Sequence, residues 1–154
     1  MQAEANIHMT ADDAFKIREM RLGANWFLWV SIASVVHSLV VFFFATSGMS
    51  FGLGMNHYID NNVTLASLDG KNIGGMFINF AIAGVFAGFG YLGRKGSDVA
   101  FIVGMFLYVF DLIVVLGYSD YWAAGIHFVV LFFLFKGLLA SRRLYDPSVD
   151  ATGA

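Results

Sequence analysis

Four apolar stretches, each of about 20 residues, constrain this chain more than any other feature. A transmembrane helix needs about that length to cross a hydrocarbon core of about 30 Å. The stretches occupy residues 25–47, 73–92, 98–118 and 122–139. Because backbone groups in lipid find no water to bond with, each stretch is predicted to be a helix. The sequence therefore predicts an all-α membrane protein, with four transmembrane helices in an antiparallel bundle.

Composition excludes the main alternative classes. Of the 154 residues, 58% are hydrophobic and only 13% are charged, so polar residues are too few to cover a water-soluble core. A soluble globular enzyme and a disordered chain are both excluded. The 9 basic and 11 acidic residues provide no charged surface for nucleic acid. The absence of cysteine excludes disulfides and thiolate metal sites.

The basic residues predict the orientation of the chain. Of the nine, three precede the first stretch, two lie between the second and third, and three lie at or beyond the end of the fourth. The positive-inside rule then makes both termini cytoplasmic. Residues 1–24 are predicted to be a cytoplasmic segment, either a short amphipathic helix or an extension of the first span. Residues 25–142 are predicted to form the transmembrane domain, and residues 143–154 are predicted to form a flexible cytoplasmic tail.

The segments between the stretches carry helix and loop signals. Thr10 and Asp13 have the spacing of a capping box, and Ser97 is placed to cap the third span. The connection between the third and fourth spans is little more than Ser119 and Asp120. The long loop 48–72 opens with glycines interleaved with apolar residues, which predicts either a re-entrant or interfacial lid or a loop lying on the bilayer.

Polar residues inside the spans form the candidate site. Placing an ionisable side chain such as His37, Asp111 or His127 in lipid costs several kcal/mol, so each of the three is expected to have a polar partner or a functional role. Asp111 and His127 each lie eight residues from position 119, so a 1.5 Å rise per residue puts them at similar depth. We predict one polar layer in the bundle. Its residues are His37, Asn79, Asp111 and His127, with Ser34 and Ser38 on the face of His37 and Tyr108 one turn from Asp111.

Three interpretations of this layer are open. Asp111 and His127 clamp two helices together, or they handle a proton or a small ligand, or His37 and His127 ligate a b-type haem across the bundle. Separately, Gly84 and Gly88 form a GxxxG pattern, which serves either packing within the chain or self-association.

The sequence from Gly93 to Arg143, about a third of the chain, resembles small uncharacterised bacterial four-helix membrane proteins. They share a G-R-x-G turn followed by A-F-x-x-G-x-x-L-Y-x-x-D. The matching positions are Gly93, Arg94, Gly96, Ala100, Phe101, Gly104, Leu107, Tyr108, Asp111, His127 and Gly137. The resemblance implies a bacterial inner-membrane protein and brings no known activity with it.

These observations predict a non-enzymatic integral membrane protein, either an oligomer or an accessory subunit of a larger complex. No Ser-His-Asp order, HExxH motif or phosphate-binding loop is present, and neither a cofactor nor a metal is predicted. The bilayer is its expected environment and nucleic acid is not an expected partner. One alternative is a redox membrane anchor that binds haem b or a quinone. The other is a small transporter or proton channel, which would need polar residues at more depths than one layer.

Overall fold

The computed structural model describes residues 10–44, 53–62, 67–68 and 71–145, and residues 1–9, 45–52, 63–66, 69–70 and 146–154 lie outside this description. The first glycines of the long loop and most of the predicted tail are among the latter. The helices are α1 (Ala11–Phe44), α2 (Gly54–Asn62), α3 (Ile73–Arg94), α4 (Asp98–Gly117) and α5 (Tyr121–Tyr145). Two short antiparallel strands, β1 (Ser67–Leu68) and β2 (Lys71–Asn72), precede α3, with Ser67 opposite Asn72.

Four of these helices, α1, α3, α4 and α5, are long and apolar enough to cross a membrane, which confirms the predicted helical spans. Many large apolar side chains point away from the protein interior, among them Phe44, Phe106 and Phe132. An exposed apolar surface of this extent favours lipid over water as the surroundings. The four helices and this surface together indicate an integral membrane protein.

Two helix ends differ from the predicted segment boundaries. α1 runs without interruption from Ala11 to Phe44, so the segment before the first span is an extension of that span from residue 11 onward. α5 continues to Tyr145, three residues beyond the predicted domain end at 142. Arg142 and Arg143 lie in its last turn, where positive charge interacts favourably with the helix dipole.

The helix ends follow the capping signals in the sequence. The Thr10 hydroxyl accepts from the amide of Asp13 at 3.1 Å, and the Asp13 carboxylate accepts from the amide of Thr10 at 3.1 Å, which confirms the capping box. Ser97 accepts from the amide of Ala100 at 3.3 Å, as predicted. Gly96 and Ser119 follow the ends of α3 and α4 with positive φ, 83° and 58°.

α1 packs against both α3 and α5, and α4 packs against α5. α1 and α5 approach each other closely at Gly23 and Gly137, where a Cβ on Gly23 would lie 2.5 Å from the Gly137 Cα atom. Phe27 of α1 is fully buried, and its ring centroid lies 6.0 Å from that of Phe101 on α4. The short helix α2 contacts α1, α3 and α4 at the end of the bundle opposite Arg94 and Arg142. We call these two ends the α2 end and the basic end.

Candidate functional site

Two polar clusters lie on either side of α2. The first, the Asp111 cluster, consists of Asp111, His127, Tyr108 and the amides of Gly54 and Met55. The second, the Asp60 cluster, consists of Asp60, Asn56, Asn79, His37 and Ser34, and we include the buried Ser38, which lies one turn from Ser34 on α1. α2 therefore connects polar residues that the sequence places in different spans.

In the Asp111 cluster, one carboxylate holds the N-terminus of α2. Asp111 is 3% exposed, and its Oδ2 and Oδ1 atoms accept hydrogen bonds from the amides of Gly54 at 2.9 Å and Met55 at 2.8 Å. The first amides of a helix lack partners within it and carry the positive end of the helix dipole. A carboxylate at this position satisfies both amides.

Glycine at position 54 permits this approach. A Cβ atom there would collide with the Cγ2 atom of Val115 and would lie 3.4 Å from the backbone oxygen of Asp111. Any larger residue would therefore push the start of α2 away from α4. The last glycine of the interleaved loop pattern thus has a definite packing role.

His127 completes the cluster from α5. Its Nε2 atom lies 2.8 Å from Asp111 Oδ2, and its Nδ1 atom lies 2.8 Å from the backbone oxygen of Ala123. A carbonyl oxygen only accepts hydrogen bonds, so Nδ1 carries a proton. The contact with Asp111 then needs a second proton between Nε2 and Oδ2. The carboxylate also accepts from two amides, so Asp111 takes part in three polar contacts.

Tyr108 contacts the same imidazole. Its ring is stacked on His127, with centroids 4.6 Å apart and planes 11° from parallel, and the tyrosine is 2% exposed. This stacking holds the imidazole in the orientation in which its two nitrogens contact Asp111 and Ala123. The Asp111 cluster is thus a buried, hydrogen-bonded group in which one proton lies between two side chains.

The Asp60 cluster joins α1, α2 and α3. Asp60 accepts a hydrogen bond on Oδ1 from the Asn79 amide at 2.9 Å, and its Oδ2 atom lies 3.7 Å from His37 Nε2. Asn56, one turn before Asp60, donates to the backbone oxygen of Ser34 at 3.2 Å. Burial raises the pKa of Asp60, and this effect is larger than the lowering by the Asn79 hydrogen bond and by His57.

The predicted single layer is thus divided between two clusters. Asp111, His127 and Tyr108 belong to one, and His37, Asn79, Ser34 and Ser38 belong to the other. Asp60 and Asn56 were not predicted, because both lie in the loop that separates the first two spans. Their spacing of four residues was the available signal, since it puts two polar side chains on one helix face. The roles of both clusters stay predictions.

The GxxxG residues of α3 face away from the rest of the protein. A Cβ atom added at Gly84 or Gly88 would meet nothing within 4 Å in the part of the chain that the structure describes. The close helix contacts within the chain use other glycines, as at Gly23 and Gly137. Among the described residues, Gly84 and Gly88 thus make no close helix contact, and self-association through them stays a prediction.

An apolar cavity of about 280 Å³ lies beside the Asp111 cluster. It is lined by Leu53, Met55, Ile82, Phe86, Phe110 and Asp111, among others. Its lining is almost entirely carbon, which suits the body of an apolar molecule. Among the described residues no group of three or more His, Cys, Asp or Glu side chains is arranged to hold a metal ion.

No protein-family model matches the chain, and no curated protein or solved structure is significantly similar to it.

Proposed function

We propose that this chain is a non-enzymatic integral membrane protein in which Asp111 and His127 bind and release one proton, and in which that proton controls the docking of α2. One observation supports this most directly. The Asp111 carboxylate is the acceptor for His127 and for both N-terminal amides of α2. A change in the protonation of the pair therefore acts on the same atoms that hold α2.

The consequence of losing the proton follows from the two contacts of His127. A neutral imidazole has one N–H and one lone pair, whereas both of its ring nitrogens face oxygen atoms. After deprotonation, one nitrogen presents its lone pair either to Ala123 or to Asp111. Either arrangement is repulsive in a site from which water is excluded. We expect the cluster to loosen and α2 to leave the bundle more often.

Single-cysteine labelling tests this coupling, because the natural chain contains no cysteine. Ile59 of α2 is 5% exposed, so Ile59→Cys reports on undocking. We expect its labelling rate, relative to exposed Tyr121→Cys at the same end, to rise as pH increases. His127→Gln should remove that pH dependence. The proposal fails if the relative rate is independent of pH in the otherwise natural chain.

We further propose a bacterial inner membrane location with both termini cytoplasmic, which places α2 on the outer side. The distribution of basic residues supports this orientation. Membrane-impermeant thiol reagents added to intact cells should label Ser119→Cys and leave Ser148→Cys unlabelled. Labelling of Ser148→Cys alone would reverse the orientation.

A lipid-soluble ligand is the second candidate, favoured by the apolar cavity next to Asp111. A quinone with an alkyl tail has the required apolar body and a carbonyl that accepts hydrogen bonds. Val85 lines the cavity, so Val85→Trp should abolish saturable binding of a short-tailed benzoquinone. Binding that is equally strong in the variant would exclude the cavity as the site.

The haem alternative fits this geometry less well. Iron needs the lone pair of a histidine nitrogen, whereas both ring nitrogens of His127 lie 2.8 Å from protein oxygens. A channel would need a polar path through the whole bundle, and the core toward the basic end is built from residues such as Phe27, Phe101 and Leu134. Proton binding at one depth, coupled to α2, is therefore the function that we favour.

A further inference from the structure

Four oxygen atoms of the Asp60 cluster are buried and have no hydrogen-bond partner among the described residues. They are Asp60 Oδ2, Asn56 Oδ1, Asn79 Oδ1 and Ser38 Oγ. Asn56 and Asn79 are 0% exposed and Ser38 is 2% exposed. Buried acceptors normally have a partner, because leaving one unsatisfied costs about 1–3 kcal/mol.

The orientations of the two amides are fixed by their donors. Asn79 Nδ2 donates to Asp60 and Asn56 Nδ2 donates to the backbone oxygen of Ser34. Exchanging the nitrogen and oxygen of either amide would put two oxygens against each other. Both carbonyl oxygens are therefore genuine acceptors, and no residue that the structure describes donates to them.

Two hydrogen bonds and the spacing along α1 and α2 connect the residues that carry these oxygens. Asp60 and Asn79 are joined directly at 2.9 Å. Asn56 lies one turn from Asp60 and is anchored to Ser34, which lies one turn from Ser38. The four oxygens thus come from α1, α2 and α3. They belong to one carboxylate, two amide carbonyls and one hydroxyl.

The chemistry of this set selects a hard cation. Carboxylate, carbonyl and hydroxyl oxygens are the ligands of hard cations, whereas softer metals prefer thiolate or imidazole. The cluster supplies a single carboxylate, so a monovalent ion gives a neutral site. A divalent ion would leave a net positive charge in a buried environment, which is costly.

We propose that the Asp60 cluster binds one monovalent alkali cation through Asp60, Asn56, Asn79 and Ser38. This inference goes beyond the proton-coupled docking proposed above and depends on different residues. Because the ligands come from three helices, the bound ion would hold α2 to α1 and α3. His37 and His57 are the titratable groups that face Asp60, and a protonated His37 would compete with the ion.

Thermal unfolding in detergent at pH 8 tests the proposal, with NaCl, KCl or choline chloride at equal ionic strength. We expect Na⁺ or K⁺ to raise the Tm saturably by several degrees over choline, and radioactive ²²Na⁺ to bind saturably if Na⁺ is the preferred ion. Asp60→Asn should abolish the increase. Asp98→Asn, a matched substitution at the basic end and outside both clusters, should retain it. The pH dependence of Ile59→Cys labelling is a separate measurement, so the two proposals fail separately.

Ser38→Ala provides a test that does not depend on removing the carboxylate. It deletes one ligand oxygen and fills nearly the same volume, so the protein should fold while the apparent cation affinity falls about tenfold. The same Tm in choline, Na⁺ and K⁺ would overturn the proposal. A Tm that changes with pH but with neither cation would also overturn the proposal, because Asp60 would then be assigned to an ion pair with His37. An unchanged cation affinity in Ser38→Ala would also contradict the site.

Discussion

The two ends of the bundle are held together by different physical means. Toward the basic end, α1 and α5 approach so closely that a Cβ on Gly137 would lie 2.8 Å from the Gly23 Cα atom. At the α2 end, buried charged and polar groups bind a short helix through hydrogen bonds to Asp111 and Asp60. The contact between Gly23 and Gly137 is made by backbone atoms, and Lys136 and Glu19 form a partly exposed ion pair at 3.1 Å between α5 and α1. The α2 end, in contrast, contains titratable groups that are buried. The α2 end is therefore where we place function.

The largest expected effect on stability comes from Asp111→Leu. This substitution removes the acceptor for Gly54, Met55 and His127, so it leaves three buried donors without a partner. Breaking a buried charge pair from one side costs about 3–5 kcal/mol. We expect a loss of unfolding free energy in that range, measured by denaturant unfolding in detergent, with Asp111→Asn milder.

A double-mutant cycle shows how much of this loss belongs to the pair. Asp111→Leu combined with His127→Leu removes both charges, so it should cost less than the sum of the single changes. We expect a coupling energy of about 1–3 kcal/mol. Additivity within about 0.5 kcal/mol would mean that the two residues act independently, contrary to their 2.8 Å contact.

The next largest expected loss of unfolding free energy concerns the basic end. Gly137→Leu places a side chain against the backbone of Gly23 and the ring of Phe101, so α1 and α5 must separate. Overpacking of this kind costs about 1–3 kcal/mol. Gly125→Leu is the control on the same helix, because a Cβ there meets nothing within 4 Å in the described part of the chain. Equal unfolding free energies for the two variants would show that glycine is not required for the helix approach.

These two ends also differ in how far the sequence predicts them. The spans and the caps at Thr10 and Ser97 follow from local patterns of apolarity and hydrogen bonding, and the structure has them. The four-residue spacing of Asn56 and Asp60 puts both on one helix face, but a nine-residue helix carries too few residues to show in sequence which helices that face contacts. Its position depends on contacts with three other helices, and no local pattern records these.

A smaller change of unfolding free energy is expected from substitutions in the turns at the two ends of the bundle. Gly96, at the basic end, has a φ of 83°, and Ser119, at the α2 end, has a φ of 58°. Positive φ costs a non-glycine residue about 1–2 kcal/mol. Ser119→Gly should therefore raise the unfolding free energy by about 0.5–1 kcal/mol after the greater chain entropy of glycine is included. Gly96→Ala should lower it, and the opposite sign for either variant would contradict the assigned turn geometry.

The smallest expected effect on unfolding comes from replacing Gly84 and Gly88 with leucine. Both positions face open space in the described chain, so leucine there adds apolar surface without a collision within the protomer. We expect the unfolding free energy of the protomer to change by less than about 0.5 kcal/mol.

The mass of the assembly should change even though protomer stability does not. Small residues on an outward face let a second helix approach closely, and leucine prevents that approach. Native mass spectrometry should therefore show a larger species for the natural chain and a monomer for the double variant. A monomeric natural chain would leave these glycines facing lipid. If the double variant is monomeric and also has a lower unfolding free energy, Gly84 and Gly88 form a contact inside the protomer. They would then serve internal packing, as Gly23 and Gly137 do.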